Sequence, residues 1–283
     1  MADTKIVAAV QLDIKLGELD TNLARVLAYT AEAAGNGADL VIFPECSLTG
    51  YQMDSREEAL SMAQAVPGPA TGSLVSLCQE LNTHVIFGML ELSGDLLFNT
   101  SVLAGPKGVV YAYHKNHVAF QAVDRFVEKG EKPFELCDAP NLRIGLELGY
   151  DMLFPEAARV HALMGADLVA IQTNFATTGL VERSARVTTT RAIENKVYLV
   201  WSNRVGQERG YPFRGRSKII DPMGMVLARA SDDNEEIIYA EIDVTKARAK
   251  RITHFANEWE LDRFADRRPE LYGIITEPRA PSN

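Results

Sequence analysis

The chain has 283 residues, of which 47% are hydrophobic, enough to form one large α/β domain or two smaller ones. Its net charge of −9 argues against nucleic acid and anionic membranes as partners, because both are bound by basic surfaces. The three cysteines, Cys46, Cys78 and Cys137, are odd in number and form no CxxC pair, so we expect a reducing compartment with neither a disulfide framework nor a metal site.

Strand-like and helix-like segments alternate along the chain. The first strand-like segment lies near the N-terminus with no signal peptide before it, and no apolar run reaches membrane-spanning length. We therefore expect a cytoplasmic protein with no membrane partner. Many strand-like segments are apolar at nearly every position, which is typical of sheets covered on both faces. The sequence predicts strands over residues 5–11, 40–44, 84–90, 99–104, 143–148, 168–172, 197–202, 217–220 and 237–242, and helices over 22–34, 72–81, 155–164, 181–196 and 245–250.

A five-residue repeat indicates two similar halves. Gly37-Ala-Asp-Leu-Val41 recurs as Gly165-Ala-Asp-Leu-Val169, and each copy stands where a predicted helix passes into a predicted strand. We find no proline- or serine-rich linker, so we expect one domain over residues 1–283. Residues 244–283 are rich in charge, and we expect them to form a C-terminal extension that packs on the surface or on a partner subunit.

Two charged residues stand at the ends of strand-like runs. Glu45 lies in Val41-Ile-Phe-Pro-Glu-Cys-Ser-Leu-Thr-Gly-Tyr51, where loss of hydration would raise its pKa and suit it to accept a proton. A glutamate that caps a helix or stabilises a turn also fits this position. Lys115 lies in Tyr113-His-Lys-Asn-His117, where an ordinary lysine would be a solvated surface charge.

The segment Ile144-Gly-Leu-Glu-Leu-Gly-Tyr-Asp-Met-Leu-Phe-Pro-Glu156 predicts a buried strand, a sharp turn and then a helix. Such a turn can present a catalytic side chain close to free backbone N–H groups that hold an oxyanion. Gly149 occupies this turn and has no side chain with which to attack a substrate. Because side chains alternate along a strand, Glu147 shares a face with Gly149 and Asp151, and we expect it either near the same site or paired within the protein.

Taken in order, these motifs resemble those of the nitrilase superfamily of carbon–nitrogen hydrolases, over roughly residues 5–273. The chain departs from the family pattern at His114, where arginine is usual, at Glu147, where an apolar or neutral residue is usual, and at Gly149, where cysteine is usual. Shorter matching strings are Phe98-Asn-Thr, Thr173-Asn-Phe175, Arg191-Ala-Ile-Glu-Asn195, Ser202-Asn-Arg-Val-Gly206 and Gly215-Arg-Ser-Lys-Ile-Ile-Asp-Pro-Met-Gly224.

The resemblance implies a catalytic role for four positions. Glu45 corresponds to the general base, Lys115 to the group that stabilises the tetrahedral intermediate, and Gly149 to the position of the missing nucleophile. Asp124, in Val123-Asp-Arg-Phe126, corresponds to a second acid that orients Lys115 or the substrate nitrogen, although a surface Asp–Arg pair fits nearly as well.

The same resemblance implies a substrate pocket. We expect Tyr51, Tyr150, Asn174 and Phe175 to bind substrate, with the Tyr150 N–H holding the oxyanion. Loops around Phe120, Phe175 and Tyr211 indicate a partly aromatic lining. Because adjacent strand residues face opposite ways, we do not expect Cys46 to replace the nucleophile beside Glu45.

The resemblance further implies a four-layer α-β-β-α sandwich that pairs into a homodimer or higher homo-oligomer. The expected chemistry is hydrolysis of a nonpeptide C–N bond in a small amide, carbamoyl compound or nitrile, with no metal or organic cofactor. Three hypotheses stay open. The chain is a hydrolase whose cysteine was replaced, a pseudoenzyme that binds an amide or acid without turnover, or an active enzyme that uses water or Glu147.

Overall fold

Two six-stranded sheets form the centre of the first of two structural units, Met1–Arg248; the second unit is Ala249–Asn283. The computed structural model describes residues 3–176 and 178–278. The strands of the first unit, within those residues, are β1 (Thr4–Gln11), β2 (Leu40–Ile42), β3 (His84–Ser93), β4 (Leu96–Gly105), β5 (Gly108–His114), β6 (Leu136–Ala139), β7 (Leu142–Leu148), β8 (Leu168–Gln172), β9 (Tyr198–Ser202), β10 (Gly206–Glu208), β11 (Tyr211–Phe213), β12 (Lys218–Ile220), β13 (Val226–Arg229) and β14 (Glu236–Asp243). Its helices are α1 (Leu19–Gly35), α2 (Arg56–Met62), α3 (Pro69–Leu81), α4 (Pro155–Leu163), α5 (Thr178–Asn195) and α6 (Val244–Arg248).

The two large sheets share one topology. The first has the order β14-β1-β2-β3-β4-β5 and the second the order β6-β7-β8-β9-β12-β13. Each has a parallel three-stranded centre, one antiparallel strand on one side and two on the other. Helices connect the parallel strands, as parallel pairing requires a crossover. The two predicted halves are therefore present as two equivalent sheets.

Side-chain alternation along the strands builds the layers. On β1, Val7 and Ala9 pack between the two sheets, against Ile144 and Leu146 of β7. The intervening residues of β1 pack under α1 and α3, while α4 and α5 contact β7 and β9 on the outer face of the second sheet. Both faces of each sheet are thus covered, which explains the continuous apolar runs. The four-layer α-β-β-α sandwich expected from the sequence is confirmed.

The repeated pentapeptide begins the same strand in each half. The first copy leads into β2 and the second into β8. Asp39 N donates to Ile6 O and its carboxylate accepts from Ile6 N at 2.8 Å. Asp167 makes the same pair of bonds with Arg143, with the carboxylate contact at 3.0 Å. The aspartate therefore joins two neighbouring parallel strands at their start, which is why the pattern recurs.

Several elements are missing from the sequence-based prediction. The edge strands β5 and β13 are absent from that prediction, although each contains a short apolar run, and both are partly exposed. Cys137, which falls outside every predicted strand and helix, lies on edge strand β6. Helix α2 carried a readable signal: the Ser55 hydroxyl accepts a hydrogen bond from Glu58 N, and the Glu58 carboxylate accepts one from Asp54 N.

The second unit, Ala249–Asn283, has its own pair of strands. It contains an antiparallel pair, β15 (Ile252–Phe255) and β16 (Trp259–Leu261), with an Arg251–Glu260 ion pair at 3.0 Å. The assignment of residues 244–283 as an extension of a single domain stays a prediction. Over the residues that the model describes, no helix is long and apolar enough to cross a membrane.

Candidate active site

Three strand ends from both sheets bring the expected catalytic positions together. Glu45 follows β2, Lys115 follows β5, and Gly149 follows β7. Strands β3, β4 and β5 run in alternating directions, so β5 ends at the same edge of its sheet as β2. Parallel strands deliver their carboxyl ends to one edge, where ligand sites of α/β proteins form. The site therefore lies at one end of the sandwich.

Lys115 is the centre of a buried ion triad. Its Nζ lies 2.7 Å from Glu45 Oε1 and 2.5 Å from Asp124 Oδ2, and all three side chains are at most 2% exposed. Burial by itself lowers the pKa of Lys115, yet the neighbouring acids, Glu45 first, raise it well above its ordinary value. Lys115 is therefore an ammonium ion near neutral pH and can neutralise an oxyanion.

The ammonium ion of Lys115 also limits how far burial raises the pKa of Glu45. Burial raises the pKa of this carboxyl above its ordinary value, Lys115 opposes the shift, and the charge of Asp124 adds to it. A raised pKa makes a carboxylate a better proton acceptor once it is ionised. Glu45 thus has the environment of a general base.

Asp124 is tied into the site, which excludes the alternative of a surface Asp–Arg pair. Besides Lys115, its carboxylate accepts a hydrogen bond from the Tyr51 hydroxyl at 3.0 Å and from Asn99 Nδ2 at 3.0 Å. Gln121 Nε2 donates to the same hydroxyl at 3.1 Å. Tyr51 therefore approaches the triad through Asp124, with its ring 5.7 Å from the ammonium of Lys115.

Gly149 has the geometry of a strained turn that aims a side chain at the triad. Its φ is +44°, in the left-handed region that side-chain-bearing residues rarely adopt. A Cβ built on its backbone would lie 2.8 Å from Glu45 Oε2 and 3.1 Å from Lys115 Nζ. Any side chain at position 149 therefore points directly at the base and the ammonium ion.

Asp151 fastens this turn to the segment that carries Lys115. Its carboxylate accepts hydrogen bonds from Leu148 N at 3.0 Å, from the Tyr113 hydroxyl at 2.9 Å and from His117 N at 2.9 Å. The ring of His117 also lies 2.7 Å from Asp151 and stacks on Phe154. His117 thus has a structural role, because it holds the Asp151 carboxylate and packs on Phe154.

The remaining residues that are expected to bind substrate make different contacts. Asn174 Nδ2 donates to Glu45 O at 2.8 Å, so it holds the backbone of the base. Phe175 packs against Trp201, and Tyr150, 36% exposed, packs edge-on against Phe154. Phe120, in contrast, is 93% exposed, so it contributes little aromatic lining.

Glu147 does not reach the site. The alternation that placed it beside Gly149 ends at Leu148, because Gly149 begins a 3₁₀ turn. The Glu147 carboxylate is fully buried under α4, where Oε1 lies 3.5 Å from Nδ1 of His161. Glu147 thus lies beside His161 within the protein, and neither of its carboxylate oxygens makes a hydrogen bond among the described residues.

None of the three cysteines is placed as a nucleophile. Burial raises the pKa of Cys46 well above its ordinary value, and the nearby carboxylates of Glu45 and Asp124 add to the shift. Burial likewise raises the pKa of Cys78 and of Cys137 to about 12. Buried thiols with raised pKa values are poor nucleophiles. Among the described residues, no group of three or more His, Cys, Asp or Glu side chains is arranged to hold a metal ion.

Sequence reasoning missed two residues that organise the site. Asn99 donates to both carboxylates of the triad, although its string Phe98-Asn-Thr had been noticed only as a family match. Glu208, buried in an ion pair with Arg204, accepts hydrogen bonds from Tyr51 N at 3.1 Å and Gln52 N at 2.9 Å. No local pattern marks either residue, because the site residues that they bond, Glu45 and Asp124 for Asn99 and Tyr51 and Gln52 for Glu208, lie 25 to 157 positions away.

Comparisons with known proteins show the family and the fold of this chain. The model of the carbon-nitrogen hydrolase family matches residues 6–252. A nitrilase from Pyrococcus abyssi is 38% identical over 267 residues, covering 94% of this chain and 98% of the relative. An omega-amidase from Homo sapiens is 30% identical over 285 residues, covering 94% and 96%. A carbon-nitrogen hydrolase structure from Helicobacter pylori G27 has a TM-score of 0.83 at 22% identity, covering 97% and 99%, and shows the same fold.

Proposed function

Because the chain belongs to the carbon-nitrogen hydrolase family, we propose that it carries the site of an amidase-type hydrolase of nonpeptide C–N bonds. We further propose that the chain as written is inactive, because Gly149 replaces the nucleophile. The substrate would be a small amide, carbamoyl compound or nitrile. The nitrilase and omega-amidase relatives support that range without choosing within it.

One observation carries the proposal. The Cβ position at residue 149 lies within 3.2 Å of both Glu45 carboxylate oxygens and of Lys115 Nζ. A thiol attached there would have a proton acceptor and a cation as immediate neighbours. Those are the two groups that thiol-based acyl transfer requires, one to form the thiolate and one to stabilise the oxyanion.

With cysteine at position 149, the reaction would proceed in two stages. Glu45 takes the thiol proton, and the thiolate sulfur attacks the substrate carbonyl carbon. The oxyanion is held by Lys115 and by the backbone N–H of Tyr150. The C–N bond then breaks, Glu45 returns its proton to the leaving amine or ammonia, and a thioester remains. Water, deprotonated by Glu45, hydrolyses the thioester and releases the acid.

A ligand-binding role without turnover is the second candidate. It is favoured by the intact triad, since Glu45, Lys115 and Asp124 stay ion-paired and buried although position 149 has no side chain. Such a site would hold an amide or an acid and leave it unchanged. An enzyme that uses water in place of the thiol is the third candidate, and Glu147, buried against His161, offers it no support.

The Gly149→Cys variant tests the proposal. Ammonia release from a panel of amides, carbamoyl compounds and nitriles should rise by several orders of magnitude, because catalytic groups that act as a unit are non-additive. Gly149→Ala is the matched control, since it adds the same Cβ without a thiol. A second change, Glu45→Gln, should remove the gain while nearly preserving shape.

Two outcomes would decide against it. If the Gly149→Cys protein folds and binds an amide but hydrolyses nothing on the panel, the result would favour the ligand-binding role without turnover. Turnover by the chain as written, unaffected by iodoacetamide, would favour the water-based enzyme.

A further inference from the structure

Asn99 forms hydrogen bonds with all three members of the ion triad. It lies on β4 with a fully buried side chain. Its Nδ2 donates to Glu45 Oε1 at 2.8 Å and to Asp124 Oδ1 at 3.0 Å. Its backbone oxygen accepts from Lys115 N at 2.9 Å. A single neutral side chain thus stands between two carboxylates and uses both amide hydrogens on them.

A hydrogen bond from Cys46 fixes the orientation of the Asn99 side-chain amide. The Cys46 thiol donates to Asn99 Oδ1 with an Sγ–Oδ1 distance of 3.5 Å. Because burial raises the pKa of Cys46 well above its ordinary value, the thiol stays protonated and can act as that donor. The amide oxygen is therefore directed to sulfur and the NH₂ group to the acids, which is the only orientation in which both carboxylates receive a donor.

The two donors on Glu45 determine which of its oxygens faces position 149. Lys115 and Asn99 both bind Oε1. Oε2 is then the carboxylate oxygen closest to the Cβ position of residue 149, at 2.8 Å against 3.2 Å for Oε1. A base can act only if a free oxygen lies within hydrogen-bond reach of the proton that it accepts.

We propose that Asn99 is a positioning residue: it holds Glu45 and Asp124 on either side of Lys115 and turns Glu45 Oε2 toward residue 149. The inference rests on the proposed function, since it concerns the base of that reaction. Without the Asn99 donors, Glu45 depends on Lys115 alone, and Asp124 on Lys115 and the Tyr51 hydroxyl. A buried carboxylate that loses a donor is also more easily protonated, which weakens it as a base at a given pH.

The test follows the reactivity of a thiol at position 149 and needs no amide substrate. In the full-length Gly149→Cys protein, the second-order rate of alkylation by iodoacetamide is measured against pH, with the modified residue identified by mass spectrometry. Adding Asn99→Ala should slow alkylation of that thiol at neutral pH by about tenfold, the effect of one hydrogen bond to a charged group. It should also move the midpoint of the pH profile upward.

The matched control is Ser101→Ala in the same background. Ser101 lies two residues along β4 on the same face and is fully buried, and its hydroxyl has no hydrogen-bond partner among the described residues. This variant should stay within about twofold of Gly149→Cys. If Asn99→Ala does not fold, Cys46→Ala takes its place. That variant keeps Asn99 but frees its amide, and it should shift the profile in the same direction by a smaller amount.

Equal alkylation rates and equal pH midpoints for the Asn99→Ala and Ser101→Ala proteins would overturn the inference. If Cys46→Ala replaces Asn99→Ala, equal values for Cys46→Ala and Ser101→Ala would overturn it in the same way. Amide hydrolysis is assayed separately. A Gly149→Cys protein whose alkylation depends on Asn99 but which hydrolyses no amide would refute the proposed function and leave the positioning role standing.

Discussion

Adding a side chain at position 149 should destabilise the folded protein more than at most other positions in the chain. We predict that Gly149→Ala destabilises the protein through two effects. A residue with a Cβ in the left-handed region costs about 1–2 kcal/mol, and φ at Gly149 is +44°. The added Cβ, 2.8 Å from Glu45 Oε2 and 3.1 Å from Lys115 Nζ, must also displace an ion-paired carboxylate. Crowding of this kind costs about 1–3 kcal/mol.

Gly94 separates the two effects. It has a φ of +62°, and a Cβ built on it would meet no atom within 4 Å. Gly94→Ala should therefore carry only the backbone cost. At about 2–4 °C per kcal/mol for a protein of this size, Gly149→Ala should melt at least about 2 °C below Gly94→Ala. Melting is followed by circular dichroism at one protein concentration, because an oligomer melts in a concentration-dependent way.

A melting temperature for Gly149→Ala equal to or above that of Gly94→Ala would refute the crowding argument. It would mean that the Glu45 carboxylate moves aside at no cost. If the argument holds, Gly149→Cys gains its reactivity at the expense of stability, as is common for strained functional residues.

Three further predictions follow from the site and the surface. The rate of the Gly149→Cys enzyme should fall as the pH drops through the raised pKa of Glu45, because only the ionised carboxylate accepts a proton; an acid limb at or below 4.5, the ordinary value, would contradict this. The chain as written should show no thiol-dependent amidase activity, since its cysteines are buried with raised pKa values; ammonia release that iodoacetamide abolishes would show that another cysteine has become the nucleophile. The protein should form at least a dimer, because α4 exposes Val160 and Leu163, followed by Met164, on one surface. Leu163→Glu should weaken that association, and a stable monomer at micromolar concentration in sedimentation would count against the prediction.

Local patterns were sufficient for the buried central strands and for the motifs around Glu45 and Gly149, while the sandwich followed from the resemblance to the nitrilase superfamily. The apolar runs that became β1, β2 and β8 are covered on both faces, so burial alone determined their sequence. The motif around Glu45 and the turn at Gly149 were readable because strand ends and sharp turns leave a composition that a few neighbouring residues carry.

Edge strands and side-chain partners were not readable in the same way. Strand β5 is partly exposed and was omitted from the prediction, although its Val-Val-Tyr-Ala-Tyr run has the composition of a strand. Glu147 was expected to share a face with Gly149, but the left-handed turn at Gly149 breaks the alternation, and helix α4 places His161 beside it. The sequence contains no sign of that choice, because it depends on how α4 packs.

Local sequence determined the strand ends that carry Glu45 and position 149, and motif resemblance indicated the family, the layers and the role of Lys115. Each of these depends on residues close together in the chain. Only the tertiary structure decided that Asp124 joins Lys115 in the triad and that Asn99 donates to both acids. Those contacts join strands and loops far apart in sequence, and a buried hydrogen bond is specified by distance and direction, which residue order does not encode.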